Sequence, residues 1–110
     1  MRVLFDQGTP VPLRRALHSH QVAIVYEQGW SLLPDGQLLT IAEEAGFEVF
    51  ITTDRQLRFQ RRLAAHRLAI LVLGTTSWPR TAPHGEAIRA LIHTLTPGSY
   101  TEYPIPTPPS

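Results

Sequence analysis

The sequence predicts a single α/β domain built on a central, mostly parallel sheet of four to five strands, because strand-like and helix-like segments alternate along the chain. The apolar run Leu68–Leu73 has no polar break, which is typical of a parallel strand with both faces covered. With 110 residues, of which 43% are apolar and 17% charged, the chain has a globular composition and can form one core. We expect a domain over residues 1–103 and a mobile proline-rich tail over residues 104–110.

The first half of the chain predicts two strands and two helices. Arg2–Phe5 has the composition of a short buried strand, and Pro10–Leu17 places its apolar side chains on one helical face. Val22–Tyr26 is the second predicted strand. Asp35–Ala45 predicts a helix, because its apolar residues recur at i, i+4 and i+7 and Gly46 follows as a helix-ending residue.

The second half of the chain repeats the alternation. Glu48–Thr52 predicts a third strand, Gln56–Ala65 a basic helix, and Leu68–Leu73 a fourth strand. His84–Leu95 predicts the last helix, with one apolar face directed at the core. Tyr100–Tyr103 is a candidate edge strand. A helix between each pair of strands is the pattern of a parallel sheet.

The composition excludes several classes of protein. The absence of cysteine excludes disulfides, thiolate zinc sites and cysteine nucleophiles. All ten basic residues are arginine, which excludes lysine-based covalent chemistry, a P-loop and the lysine switch of a receiver domain. There is no Gly-x-Ser-x-Gly motif, and the five histidines show no zinc-site spacing. No signal peptide or long apolar run is present, so we expect a cytoplasmic protein without a membrane partner.

The three aspartates of the chain all fall where a parallel sheet builds its ligand sites. Asp6 ends the first predicted strand, Asp54 follows the third, and Asp35 opens the helix between the second and third strands. Strand ends and helix starts meet at one edge of such a sheet. Three carboxylates gathered there repel one another, and a divalent cation would offset the repulsion. The pattern therefore predicts a Mg²⁺ or Mn²⁺ site.

Each of these residues also has a purely structural interpretation. Asp35 and Asp54 could act as N-caps of the helices that follow them, and Asp6 could be a turn residue. The stripe formed by Arg55, Arg58 and Arg62 could be a solvated helix face. The alternative for this stripe is a surface that binds the phosphates of RNA, because it begins one residue after Asp54.

Four segments of the chain together resemble the compact PIN-like proteins, relatives of the VapC-type toxin nucleases, over roughly residues 1–95. These segments are Leu4-Phe5-Asp6-Gln7, Tyr26-Glu27-Gln28-Gly29-Trp30, Asp35-Gly36-Gln37-Leu38-Leu39 with Ala42, and Val49-Phe50-Ile51-Thr52-Thr53-Asp54-Arg55. The most specific element is the Thr-x-Asp motif after a strand, with acids at the end of the first strand and at the start of the upstream helix.

The resemblance implies a PIN-like three-layer α/β/α fold in which Asp6, Asp35 and Asp54 hold Mg²⁺ or Mn²⁺ and a metal-bound water cleaves RNA. It also implies the toxin half of a toxin–antitoxin pair, with an antitoxin-like protein as partner, and leaves a homodimer open. Full-size PIN nucleases carry an additional glutamate on a segment that this chain lacks, and Glu27 is the nearest substitute.

Two departures from the family pattern favour an alternative function. Gln7 and Gln56 stand where related chains often carry an acid, or at the second position an asparagine. The alternative is a catalytically silent PIN-like module that binds a protein partner and uses the apolar segment Tyr100–Ile105 as edge-strand material.

Overall fold

The computed structural model describes residues 1–55 and 67–106. The strands in these ranges are β1 (Arg2–Phe5), β2 (Gln21–Ile24), β3 (Val49–Thr52), β4 (Ala69–Leu73) and β5 (Tyr100–Tyr103). The helices are α1 (Leu13–Ala16), α2 (Asp35–Glu44), α3 (Trp78–Thr81), a 3₁₀-helix (Ala82–His84) and α4 (Gly85–Ile92). No helix in the described ranges is long and apolar enough to cross a membrane.

The five strands form one sheet in the order β2-β1-β3-β4-β5, and every pair of neighbours is parallel. This confirms the predicted α/β class and the parallel sheet. The candidate edge strand is also confirmed, because Tyr100–Tyr103 pairs in parallel with β4. From β1 the chain adds β2 on one side of the sheet, and from β3 it adds β4 and then β5 on the other side. The direction in which strands are added therefore reverses between the neighbours β1 and β3.

Apolar side chains are buried on both faces of the sheet. Successive side chains of a strand point to opposite faces, so Val3 and Phe5 belong to one hydrophobic cluster and Leu4 to another. The first cluster includes Leu13 of α1 and the α4 residues Ile88 and Ile92. The second cluster includes α2 side chains, namely Leu38, Leu39 and Ala42. Burial on both faces explains why β4 has no polar residue.

Two early elements are shorter than the sequence predicts. The first helix was expected over Pro10–Leu17 but begins at Leu13, with Pro12 at its N-cap position. The second strand ends at Ile24 instead of Tyr26, because the chain turns after Val25 and Trp30 N–H donates to the Val25 carbonyl at 3.1 Å. Both differences fall at element boundaries, where sequence patterns are least informative.

The later part of the chain contains an element that the sequence pattern does not reveal. The short helix α3 begins at Trp78, and the Ser77 hydroxyl caps it by accepting from Arg80 N–H at 3.4 Å. The last helix, expected from His84, begins at Gly85 and ends at Ile92. The predicted basic helix Gln56–Ala65 lies outside the described residues.

The folded part of the chain extends beyond the predicted tail boundary at residue 103. Ile105 is only 5% exposed and packs in the first hydrophobic cluster. Its carbonyl accepts a hydrogen bond from Arg80 Nη2 at 3.0 Å. The segment proposed as free edge-strand material, Tyr100–Ile105, is therefore already part of the sheet and the core. Residues 107–110 lie outside the described residues.

Candidate functional site

The reversal of strand order between β1 and β3 places two strand exits side by side at the carboxyl edge of the sheet. In doubly wound α/β folds, ligands bind in the crevice at this reversal. Here the chain leaves β1 through Asp6 and leaves β3 through Thr52, Thr53 and Asp54. The fold therefore brings two of the three predicted site residues to the position where a parallel sheet provides a binding crevice.

Two hydrogen bonds hold the loop after β1 against β3, and a third closes the loop on itself. Asp6 N–H and the Thr9 hydroxyl both donate to the Ile51 carbonyl, at 2.9 and 3.0 Å, and Thr9 N–H donates to the Asp6 carbonyl at 3.2 Å. Gly8 has φ +88°, and a Cβ at this position would lie 3.0 Å from Thr53 Oγ1. The tight turn therefore needs glycine, and it holds Asp6 in a defined position beside β3.

The hydroxyl of Thr52 connects Asp6 with the backbone of Asp54. Thr52 is fully buried, and its Oγ1 donates to Asp6 Oδ2 at 2.8 Å. The same oxygen accepts from Asp54 N–H at 3.1 Å. One hydroxyl thus uses its donor and one acceptor position to connect the exits of β1 and β3. This is the structural role of the first threonine in the Thr-x-Asp motif.

The environment of Asp6 disfavours its ionised form. Burial raises the pKa of this carboxyl above that of an ordinary aspartate, and the nearby negative charges of Asp35 and Asp54 raise it further. The bonds from the Thr52 hydroxyl and Gln7 N–H lower the pKa but do not reverse the shift. The pKa of Asp6 is therefore higher in the folded protein than in the unfolded chain. Above the folded pKa, ionised Asp6 destabilises the fold. This destabilisation decreases as the pH falls below the folded pKa and is absent below the unfolded pKa of 3.8.

Asp35 and Asp54 take different positions around Asp6. Asp35 is the first residue of α2 and is half-buried. Pro34 occupies the N-cap position without a side-chain cap bond, so the alternative interpretation of Asp35 as an N-cap is wrong. Asp54 is exposed. The helix that Asp54 was alternatively expected to cap lies outside the described residues, so its capping role stays a prediction.

The three aspartates are close enough to influence the Asp6 pKa but do not form a compact ligand cluster. Within residues 1–55 and 67–106, no group of three acidic, histidine or cysteine side chains could hold a metal ion directly. Magnesium commonly binds through one or two carboxylates and keeps several waters. Such coordination does not require three carboxylates in direct contact with the ion.

Glu27, the possible fourth metal ligand, forms an ion pair beside β2 instead of joining the three aspartates. Its carboxylate forms a bidentate ion pair with Arg14, with Oε1 at 2.5 Å from Nη2 and Oε2 at 3.1 Å from Nη1. Oε1 also accepts from Ile24 N–H at 3.3 Å. The hydrogen bond from Arg14 lowers the pKa of Glu27. The structure thus gives Glu27 a role at the edge of β2, and serving as a metal ligand would require breaking this pair.

Arg55 lies at the same carboxyl edge, next to Asp54 in the chain. Its side chain is exposed, and Nη2 donates to the Gly74 carbonyl at 3.4 Å, just past the end of β4. Arg55 also borders a groove of about 310 Å³, which it lines together with Val72, Gly74, Glu102, Tyr103 and Pro104. The other two predicted RNA-binding residues, Arg58 and Arg62, lie outside the described residues.

The sequence did not assign a role to Thr52 or to the pair formed by Arg14 and Glu27. A signal for Thr52 was present, because a threonine that ends an apolar strand two residues before an aspartate must place its hydroxyl near the strand exit. No comparable signal existed for Arg14 and Glu27. They are 13 residues apart and meet only because β2 brings the chain back past α1.

Comparison with protein-family models, with curated proteins and with solved structures finds no match. The PIN-like resemblance therefore rests on the sequence segments that carry it. The chemistry of the carboxyl edge rests on the geometry of Asp6, Thr52 and Asp54.

Proposed function

We propose that the protein is a PIN-like, metal-dependent ribonuclease whose active site lies at the carboxyl edge between β1 and β3. The observation that carries the proposal is the position of Asp6 at this reversal point, bonded to Thr52 at 2.8 Å and close to the charges of Asp35 and Asp54. Two hydrophobic clusters on opposite faces of the sheet are compatible with the three-layer arrangement of the PIN-like fold.

The residues of this edge suit Mg²⁺ or Mn²⁺. A cation beside Asp6 would offset the cost of ionising a partly buried carboxyl that two other acids surround. When bound, the ion would activate a water and balance the charge of the scissile phosphate. Asp6 would hold it directly, and Asp35 and Asp54 would orient its waters.

The remaining residues of the edge would provide positioning. Thr52 fixes the Asp6 carboxylate and the Asp54 backbone relative to each other through its two hydrogen bonds. Gly8 lets the first loop pack closely against Thr53, because a Cβ at this position would lie 3.0 Å from Thr53 Oγ1. Carboxylates held in fixed positions would keep a bound cation in place, and that cation would stabilise a developing negative charge without reorganisation of the site.

Arg55 would bind the RNA backbone next to the acids. Arg55 follows Asp54 in the chain and borders the groove along the end of β4, so its permanent positive charge would lie beside the proposed metal site. An RNA phosphate bound to Arg55 would position the RNA strand along the carboxyl edge of the sheet. Arg58 and Arg62 would extend this contact, as the sequence predicts.

We expect Arg55→Gln to weaken the binding of single-stranded RNA and to reduce the slope of log affinity against log salt by roughly 0.7, the value for one lost phosphate contact. Fluorescence anisotropy at several salt concentrations, with calcium replacing magnesium to prevent cleavage, measures both quantities. Arg89→Gln is the matched control, because the Arg89 side chain pairs with Glu86 on α4 and its backbone carbonyl contacts the His20 ring, just before the amino end of β2. If the slope of log affinity against log salt is equal for the two variants, Arg55 does not contact the RNA backbone.

The toxin role and the antitoxin-like partner rest on the resemblance alone. Co-expression with the neighbouring reading frame tests them, since a toxin arrests growth without its antitoxin and not with it. The silent binding module remains the alternative proposal. Tyr100–Tyr103 forms the edge strand β5, which pairs with β4 on one side, whereas Ile105 is buried in the core. Gln7 and Gln56 stand where related chains often carry an acid, so cleavage activity needs its own test, which the variant Asp6→Asn provides.

A further inference from the structure

The edge strand β2 has a composition that favours pairing with another strand. Its sequence is Gln21-Val22-Ala23-Ile24, with no charge and no proline. Exposed edges of this kind are templates for association, and natural proteins protect them with charges, bulges or covering segments. Because β2 itself carries none of these protective residues, protection must come from elsewhere in the chain.

Two residues of β2 direct their backbone N–H and C=O groups away from the sheet. Gln21 N–H donates to the Met1 carbonyl, just before β1, and Val25 N–H donates to the Phe5 carbonyl of β1, at 2.9 Å each. In a parallel ladder the groups of alternate residues point to the same neighbour, so those of Val22 and Ile24 point outward. An added parallel strand would use one residue to donate to the Val22 carbonyl and to accept from Ile24 N–H.

The ion pair of Arg14 and Glu27 supplies this donor and this acceptor. Arg14 Nη2 donates to the Val22 carbonyl at 3.1 Å, and Glu27 Oε1 accepts from Ile24 N–H at 3.3 Å. The two atoms also bond to each other at 2.5 Å. The pair therefore occupies the place of one residue of a sixth strand. The side chains are 36% and 46% exposed, so the pair lies on the surface of the edge.

We infer that the β2 edge is a strand-pairing surface for a second copy of this chain, and that the Arg14–Glu27 pair keeps it closed. The inference is independent of the ribonuclease proposal. A second copy is the fitting occupant because an antiparallel pair centred on Ala23 sets Val22 opposite Ile24 of the other copy. The outward donors and acceptors of both copies are then satisfied by each other. The strand brings no like charges into opposition.

Sedimentation equilibrium of Glu27→Ala tests the inference. We expect its self-association constant to exceed that of the wild type at least tenfold, and Arg14→Ala to behave in the same way. Glu86→Ala is the matched control, since it breaks the exposed pair of Glu86 with Arg89, at 2.8 Å on α4, and leaves β2 unchanged. We expect its association constant to equal that of the wild type.

A second variant locates the surface. Gln21 is exposed on β2, and Gln21→Lys in the Glu27→Ala background places a charge on the opened edge. We expect this double variant to return to the association constant of the wild type. Wild-type association in both Glu27→Ala and Arg14→Ala would overturn the inference, and so would association that persists in the double variant. Hydrogen exchange of the Ile24 amide tests the closed edge in the monomer, because this N–H donates to Glu27. In dilute Glu27→Ala we expect faster exchange at Ile24 than in the wild type. Equal protection in the two proteins would also contradict the inference.

Discussion

We expect Asp6→Asn to reduce metal-dependent RNA cleavage by at least about 100-fold, because a metal ion supplies several kcal/mol of charge stabilisation and each 1.36 kcal/mol corresponds to a factor of ten. The variant should fold, since the asparagine Oδ1 can still accept from the Thr52 hydroxyl in place of the Asp6 carboxylate. In chelator at pH 7, it should be at least as stable as the wild type. Burial and two neighbouring acids make the ionised Asp6 unfavourable in the folded state.

Cleavage of a fluorescent single-stranded RNA in Mn²⁺ measures the first part of this prediction, and urea unfolding in chelator measures the second. Glu44→Gln is the control for the loss of one negative charge, because Glu44 is exposed at the opposite end of α2 from Asp35. It should cleave as the wild type does. Wild-type cleavage by Asp6→Asn would remove this carboxyl from the reaction. A clear loss of apo stability would mean that its negative charge supports the fold.

The second large effect concerns the end of the domain. We expect Ile105→Ala to lower the free energy of unfolding by about 2–5 kcal/mol, the usual range for truncating a buried isoleucine to alanine. Ile105 is 5% exposed and packs in the first hydrophobic cluster, and Arg80 Nη2 binds its carbonyl. A typical domain is stable by only about 5–15 kcal/mol. The substitution should therefore lower the urea midpoint strongly.

Leu32→Ala is the matched control for Ile105→Ala, because Leu32 is 97% exposed. We expect it to change stability by less than about 0.5 kcal/mol, as for most surface substitutions. A mobile tail from residue 104 onward predicts the opposite result, with Ile105→Ala as mild as Leu32→Ala. Equal midpoints for the two variants would thus favour the boundary predicted from the sequence.

The fold was predictable where burial controls the residue pattern. The strands β3 and β4 are buried throughout, so their apolar runs revealed both their positions and the parallel sheet. Prediction was poorer where a few local bonds decide the structure. The start of α3 depends on the Ser77 cap and on proline at the beginning of the helix. With only four residues, α3 is too short to show the repeating apolar pattern by which a helix is predicted. Proline content indicates a loop, and it cannot reveal that Ile105 packs in the core.

The candidate site was predictable to the extent that topology alone determines it. Asp6 and Asp54 follow adjacent strands, and the parallel sheet brings their backbones together at one edge. The distances between the three carboxylates depend on loops, which the sequence pattern does not determine. The role of Glu27 was missed for a related reason, since its bond to Arg14 links residues that only the folded chain brings together.

The most direct test of a metal centre on Asp6 is a Mn²⁺ titration followed by thermal melting of the wild type, Asp6→Asn and Glu44→Gln. A cation that binds only the folded form stabilises it by about 2.7 kcal/mol at one hundred times its dissociation constant. For a domain of this size we expect the wild type and Glu44→Gln to gain roughly 10 °C in Tm. Asp6→Asn should gain little. An equal shift in all three proteins, or none in the wild type, would contradict a metal centre at the carboxyl edge.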